Sequence, residues 1–344
     1  MIRFECDYAE GAHPKILERL IETNYTQTKG YGDDEYCENA RRLIRHLCNA
    51  ESADVHFLVG GTQTNTTVIA SILRPHQGVI SAVTGHINVH ETGAVEATGH
   101  KVLTLPSINS KLTASQIEQT CSDHWNDANH EHIVQPGMVY ISNPTEGGVI
   151  YTKHELQAIS DACRLYNLPL FLDGARLGYG LAAEDNDLTL PDIARLCDVF
   201  YIGGTKVGAL FGEALVITND AQKKDFRYFI KQRGGMLAKG RLLGLQFETL
   251  FADGLYFEIS RHAVQMAMKI RNAFRDKGFS FLLESTTNQQ FPILTTEQIN
   301  HFSKKYAFEM WTRIDAHHAA VRFCTSWATR EEDVDTLTSD LEKG

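Results

Sequence analysis

Phe171-Leu172-Asp173-Gly174-Ala175-Arg176 and Tyr201-Ile202-Gly203-Gly204-Thr205-Lys206 follow one pattern: a short apolar run, then small residues and charge. A third stretch, Val59-Gly60-Gly61-Thr62-Gln63-Thr64-Asn65, does the same and leads into a helical pattern. Apolar runs of this length, with no polar alternation, read as strands buried on both faces. Working outward, equivalent runs bounded by Gly, Pro, Asn or Asp fall at 55–59, 79–82, 102–105, 138–142, 170–172, 199–202 and 214–217. Helical periodicity fills the gaps at 64–73, 113–124, 153–166 and 191–196, clearest where Leu156, Ile159, Cys163 and Tyr166 share a face. Strands alternating with helix-length segments predict an α/β fold, a mostly parallel seven-stranded sheet between helices. The pattern changes near residue 220. Residues 221–275 read as helices broken at Gly234-Gly235 and Asp253-Gly254, followed by strands at 306–314 and 320–325 and a closing helix over 331–343, a small C-terminal α+β unit.

The chain has 344 residues and a formal net charge of −10. That length suits about two domains. A net negative chain without a basic stripe lacks the footprint of a nucleic-acid binder. No apolar stretch reaches the ~18 residues of a membrane span, and the opening Met1-Ile2-Arg3-Phe4-Glu5-Cys6-Asp7 is charged where a signal peptide is apolar. The seven cysteines are odd in number and never form a Cys-x-x-Cys pair, so reduced thiols in a cytoplasmic protein are expected. Cys324 reads as core. The polar stretch 121–132 reads as a solvated loop between helix and strand, and His317-His318 as a solvated turn.

Three segments carry chemistry. Gly60-Gly61-Thr62 feeds a helix N-terminus, whose free N–H groups and dipole suit a phosphate; such turns are also common as plain structure. Asp173 closes a buried strand and points into the crevice where parallel sheets bind ligands, unless it merely caps the next helix. Lys206 follows a glycine pair that lets the backbone approach a ligand, and an enclosed lysine has the lowered pKa that Schiff-base chemistry needs; an exposed surface lysine is the alternative. Together, a phosphate cradle, an acid for a pyridine nitrogen and a reactive amine are the parts of a pyridoxal phosphate site. His86 and His90, four apart with Glu91 next, are one short of a metal set and lack the His-Glu-x-x-His order, so no metal is expected.

In order and spacing, Tyr31-Gly32-Asp33-Asp34, Gly61-Thr62-Gln63-Thr64-Asn65, His86 with Glu91, Asp173-Gly174-Ala175-Arg176, Thr205-Lys206 and Val321-Arg322-Phe323 resemble the low-specificity L-threonine aldolases. These belong to the aromatic amino acid beta-eliminating lyase group of fold type I enzymes, and the resemblance spans essentially the whole chain. It implies pyridoxal 5'-phosphate as cofactor, bound to Lys206 as a Schiff base. Asp173 would pair with the pyridine nitrogen, His86 would stack on the ring and move protons, and Gly61, Thr62 and Thr205 would lie at the cofactor. Arg176 and Arg322 would grip the substrate carboxylate. Tyr31 would lie in a loop reaching a neighbouring subunit's site, in a homodimer or homotetramer. The implied division is a large cofactor-binding domain over 1–248, N-terminal arm included, and a small domain over 249–344. The implied reaction is reversible retro-aldol cleavage of L-threonine, L-allo-threonine or a related β-hydroxy amino acid to glycine and an aldehyde.

The chain departs from the family pattern at three places. The usual Arg-Ser-Asp opening reads Glu5-Cys6-Asp7, which offers a thiol to the substrate carboxylate. Thr145 stands where a histidine near the substrate hydroxyl is usual. Leu237 replaces a phosphate-contacting arginine, leaving Lys239 or Lys231 to supply that charge. β-Elimination on another amino acid is the competing chemistry, because the choice depends on which Cα bond lies perpendicular to the ring. A non-catalytic cofactor-binding regulator is the third reading.

Overall fold

The apolar runs assemble into one sheet whose carboxyl edge carries the chemistry-bearing residues. The computed structural model describes residues 1–343. Its strands are β1 (Ile2–Arg3), β2 (Asp54–Leu58), β3 (Gln77–Ala82), β4 (Lys101–Leu105), β5 (Gln135–Ser142), β6 (Leu170–Asp173) and β7 (Val199–Gly203). There follow β8 (Glu213–Ile217), β9 (Gln289–Gln290), β10 (Ile293–Thr295), β11 (Tyr306–Ala307), β12 (Glu309–Arg313) and β13 (His318–Cys324). The main sheet has the order β2-β8-β7-β6-β5-β3-β4, and all seven expected strands are in it. Only β8 runs against its neighbours, β7 and β2. Alternate residues of β7 serve opposite faces, as the pleat requires: Phe200 and Ile202 join one core, Val199 and Tyr201 the other. The helix Lys153–Leu165 begins at a capping box, Thr152 with Glu155, and buries Leu156, Ile159 and Cys163 against the first core. The helix Gly61–Ile72 lies on the other face through Val68 and Ile69. Helices on both faces make this an α/β layer structure.

Residues 221–275 form the helices Phe226–Gln232, Arg241–Ala252 and Leu255–Asp276, broken where the glycines predict. Position 248, the expected boundary, falls inside the helix Arg241–Ala252. The N-terminal arm also departs from the expected division. β1 pairs with β11, and Phe4 joins the C-terminal core with Phe274 and Phe323, because its apolar side chains find that core and not the main sheet's. The expected strand 306–314 is two, β11 and β12, pairing with β1 and β13 respectively. The stretch 121–132 is not a loop throughout: Ala114–Asn126 is one helix, with Cys121 and His124 buried, and His130–His132 is a 3-10 turn.

Ser142 at the end of β5 lies in register with Asp173 at the end of β6. Gly203 at the end of β7 faces Glu213 at the start of β8. An antiparallel strand thus brings its first residue to the edge where the parallel strands finish. Gly174 lets the chain turn there: a Cβ would stand 2.0 Å from the Tyr201 carbonyl oxygen. Gly174→Ala should therefore destabilise the protein by about 1–3 kcal/mol through overpacking, read as a lower midpoint in thermal or urea unfolding; an unchanged midpoint would show that the turn relaxes freely.

Candidate active site

A cavity of about 440 Å³ opens at this edge, lined by Gly60, Gly61, Thr62, His86, Asp173, Arg176, Thr205 and Lys206 among others. Its floor is organised around Asp173. The carboxylate accepts hydrogen bonds from Tyr140 Oη at 2.6 Å, Asn65 Nδ2 at 3.2 Å, the Ala175 N–H at 3.0 Å and Tyr201 Oη. The capping alternative fails, since the next helix, Leu177–Leu181, has Arg176 as its N-cap. Burial and then the neighbouring Asp173 charge push the Tyr140 and Tyr201 hydroxyls up, so both stay protonated donors.

Asn65 links Asp173 to a second pair. Its amide also donates to Glu91 Oε1 at 2.7 Å, and the same oxygen meets His86 Nδ1 at 2.8 Å. Glu91 is fully enclosed, while His86 stays partly open to the cavity. Burial alone would lower the His86 ring, but the Glu91 hydrogen bond and the Asp173 charge outweigh it and raise it above the ordinary histidine range. Lys206 sits in the turn after β7, and its carbonyl accepts from Tyr179 Oη. Burial, then the positive charge of Arg176, lowers its amine below the ordinary lysine range. The helix Gly61–Ile72 starts at Gly60 with no side-chain cap, which leaves its first N–H groups without an intrahelical acceptor at the cavity wall.

Two arginines border the opening. Arg176 is clamped by Asp7, with Nε to Oδ2 at 2.6 Å and Nη2 to Oδ1 at 3.0 Å. Burial would raise Asp7, but the Arg176 charge reverses this and holds the carboxyl at about 2. Arg322 on β13 donates to Gln289 Oε1 at 3.0 Å and to the Glu5 carbonyl at 2.9 Å, and pairs with Glu309.

A profile of beta-eliminating lyases matches residues 7–333. The chain is a member of the beta-eliminating lyase family. It is 29% identical over 345 residues to the low specificity L-threonine aldolase of Pseudomonas sp., covering 98% of this chain and 96% of that one. To the enzyme of the same name from Pseudomonas aeruginosa it is 28% identical over 342 residues, with the same coverage. The solved structure of Leishmania major threonine aldolase matches with a TM-score of 0.97 and 47% identity, over 100% of this chain and 99% of that one. The architecture is fold type I.

In this beta-eliminating lyase family member the cavity gathers Lys206, Asp173, His86, Gly61, Thr62, Thr205, Arg176 and Arg322. Two expected site residues, Cys6 and Thr145, stand elsewhere, and Tyr31, expected at a neighbouring subunit's site, lies outside this cavity. The Cys6 thiol does not line the cavity; its neighbours are drawn inward instead, Asp7 by Arg176 and Asn288, and burial raises the thiol. Thr145 is buried in its own turn, where Oγ1 accepts from the Val149 N–H at 3.2 Å. Tyr31 borders a separate small cavity with Arg41, Arg227 and Leu237, under the Lys231 ammonium at 4.9 Å. The exposed pair His317-His318 lies at a strand start, and Cys324 is buried.

Sequence reasoning missed Glu146 and Glu213. Glu146 accepts from the His86 N–H at 2.9 Å and from Ser142 Oγ at 2.8 Å, and burial raises its carboxyl. Glu213 accepts from Thr205 Oγ1 at 2.8 Å and the Gly204 N–H at 3.1 Å. A lone acid opening the apolar run Ala214-Leu215-Val216-Ile217 was the available signal for it. Burial pushes Glu213 up to about 8, against the pull of Thr205 and Lys206. The folded chain thus holds this proton more tightly than the unfolded chain, so stability present at low pH is lost as pH rises from the ordinary glutamate value of 4.5 to about 8. In cofactor-stripped protein, Glu213→Gln should flatten the decline of the thermal midpoint across that window; an unaltered slope would assign it to other groups.

Proposed function

We propose that the chain is a pyridoxal phosphate-dependent threonine aldolase, which cleaves an L-β-hydroxy-α-amino acid such as L-threonine or L-allo-threonine to glycine and an aldehyde. The observation that carries this is the convergence of Lys206, Asp173 and His86 on one cavity, under an uncapped helix N-terminus and between two arginines. The donor set fits the cofactor. Glu91 Oε2 and Asn65 Oδ1 are buried acceptors without a partner beside Asp173, and a Cβ at Gly61 would stand 3.1 Å from Tyr201 Oη, where a side chain would narrow the cradle. The bound cofactor would withdraw the electron pair released at Cα when the Cα–Cβ bond breaks.

The chain's own residues do the rest. Lys206 brings an amine whose lowered basicity leaves its lone pair free to attack a carbonyl. Asp173, held by four donors, keeps a proton on the pyridine nitrogen. Gly61 and Thr62 would hold the phosphate with N–H and hydroxyl donors, while Thr205, whose hydroxyl goes to Glu213, lines the same cavity. Arg322, and Arg176 through the part of its fork left free by Asp7, orient the substrate carboxylate and so select the bond that breaks. His86 keeps Nδ1 on Glu91, which leaves Nε2 to accept the β-hydroxyl proton.

The oligomer belongs to the same proposal. Ile21, Tyr25 and Tyr228 are 76%, 94% and 76% exposed and offer apolar side chains to a neighbouring subunit. A homodimer or homotetramer covering them would also place Tyr31 at a subunit boundary. A cytoplasmic location accords with seven free thiols. No helix of the described residues is long and apolar enough to cross a membrane.

The deciding experiment supplies L-threonine and L-allo-threonine to cofactor-loaded protein and identifies the carbonyl product. Acetaldehyde with equimolar glycine is expected, whereas 2-oxobutyrate with ammonia would replace the aldolase by a β-eliminating enzyme. Lys206→Ala should lose both turnover and the cofactor's visible absorbance at the lysine, and a fully active variant would sink the assignment. Glu91→Gln removes the hydrogen bond that raises His86. The acid limb of kcat/KM should therefore move to lower pH, while kcat falls roughly ten- to a hundredfold as the ring loses its orientation. A limb that stays in place would remove His86 from the proton transfer.

A further inference from the structure

Arg322 already holds a carboxylate. Glu309 on β12 is its direct cross-strand partner on β13, and the two side chains form an ion pair at the cavity wall. Trp311, two residues along β12, also lines the cavity, with its ring 5.3 Å from the Arg322 guanidinium carbon. The guanidinium is otherwise spent on Gln289 and the Glu5 carbonyl. Arg322 Nε and Gln289 Nε2 remain buried donors with no acceptor. The site therefore keeps hydrogen-bond donors that Glu309 does not use. The Glu309 side chain is 44% exposed and free to swing aside, whereas that of Arg322 is 9% exposed and fixed.

We infer that Glu309 is a specificity residue. It competes with the substrate α-carboxylate for Arg322 and, once displaced, repels a second carboxylate on the substrate side chain. The inference rests on Arg322 taking the α-carboxylate in the proposed function. Its second half follows from what lines the wall. The cations that face this space are spoken for: Arg176 by Asp7, Arg322 by the substrate, and Lys206 by the chemistry. His90 beside Glu309 is held down by burial and by the His86 charge, so it offers no compensation at neutral pH. An acidic side chain would meet the Glu309 charge at a partly exposed wall, where water weakens the repulsion without cancelling it. A neutral one pays nothing, and this is discrimination by repulsion rather than by fit.

The test uses cofactor-loaded protein and its Glu309→Gln variant, titrated separately with glycine and L-aspartate and followed by the change in cofactor absorbance. Glycine should bind roughly fivefold tighter to the variant, the factor carried by a partly exposed ion pair. L-Aspartate should gain at least tenfold more than glycine. Glu309→Ala should reproduce that ratio, which separates loss of charge from the geometry of the amide. An unchanged aspartate-to-glycine ratio in both variants overturns the inference, and so does the lack of any response to glycine in all three proteins. L-Threonine cleavage is assayed in parallel. Wild-type protein that releases no carbonyl product overturns the aldolase reading, while the ratio still decides the role of Glu309.

Discussion

The site depends on one carboxylate held where water is excluded. Asp173 ends a fully apolar strand, and without Tyr140, Tyr201, Asn65 and the Ala175 N–H its charge would be buried at prohibitive cost. Each donor comes from a different part of the fold: β5, β7, the helix Gly61–Ile72 and the turn after β6. The sheet order and the helix placement are therefore conditions for that charge, and a slip of one strand would strand it. Asn65 extends the arrangement by sharing its amide between Asp173 and Glu91, which ties the orientation of His86 to that of Asp173.

The surroundings sort the ionisable groups by environment. Lys206 is enclosed beside Arg176 and loses basicity; His86 is enclosed beside acids and gains it. Glu213 and Glu146 are buried without a dedicated cation and hold their protons more tightly. Asp7 is equally buried, yet it is ionised because Arg176 grips it with two hydrogen bonds. Opposed shifts within one cavity are characteristic of a site built to move protons. The N-terminal arm acquires a purpose here: by packing on the C-terminal core it delivers Asp7 to Arg176 and the Glu5 carbonyl to Arg322, so both arginines are positioned from outside the elements that carry them.

Most of the fold was legible because buried parallel strands leave a plain signal. Seven apolar runs bounded by turn residues became seven strands, with ends displaced by no more than three residues. Failures came where local pattern does not decide pairing. β11 and β12 form one apolar-polar run in sequence, but β1 claims the first part and β13 the second. The polar stretch after Thr120 looked solvated, yet its first residues continue a helix whose inner side buries Cys121 and His124. For the site, residues at strand ends were found because a charge after an apolar run is conspicuous, as at Asp173, Lys206 and Arg176. Glu213 escaped because it precedes its strand, and only the antiparallel direction of β8 brings it to the same edge.

The sequence by itself determined the layer architecture and the identity of the residues at the strand ends, since those follow from hydrophobic periodicity and local turn chemistry, and its motifs carried the resemblance to the family. The tertiary structure alone decided which groups share a surface. Asp7 meets Arg176 across 169 positions and Glu5 meets Arg322 across 317. It withdrew Cys6 and Thr145 from the cavity wall and placed Glu309 opposite Arg322. The physical reason is that charge and hydrogen bonding act through space: a side chain's acidity and partners depend on what folding buries beside it, which spacing along the chain does not encode.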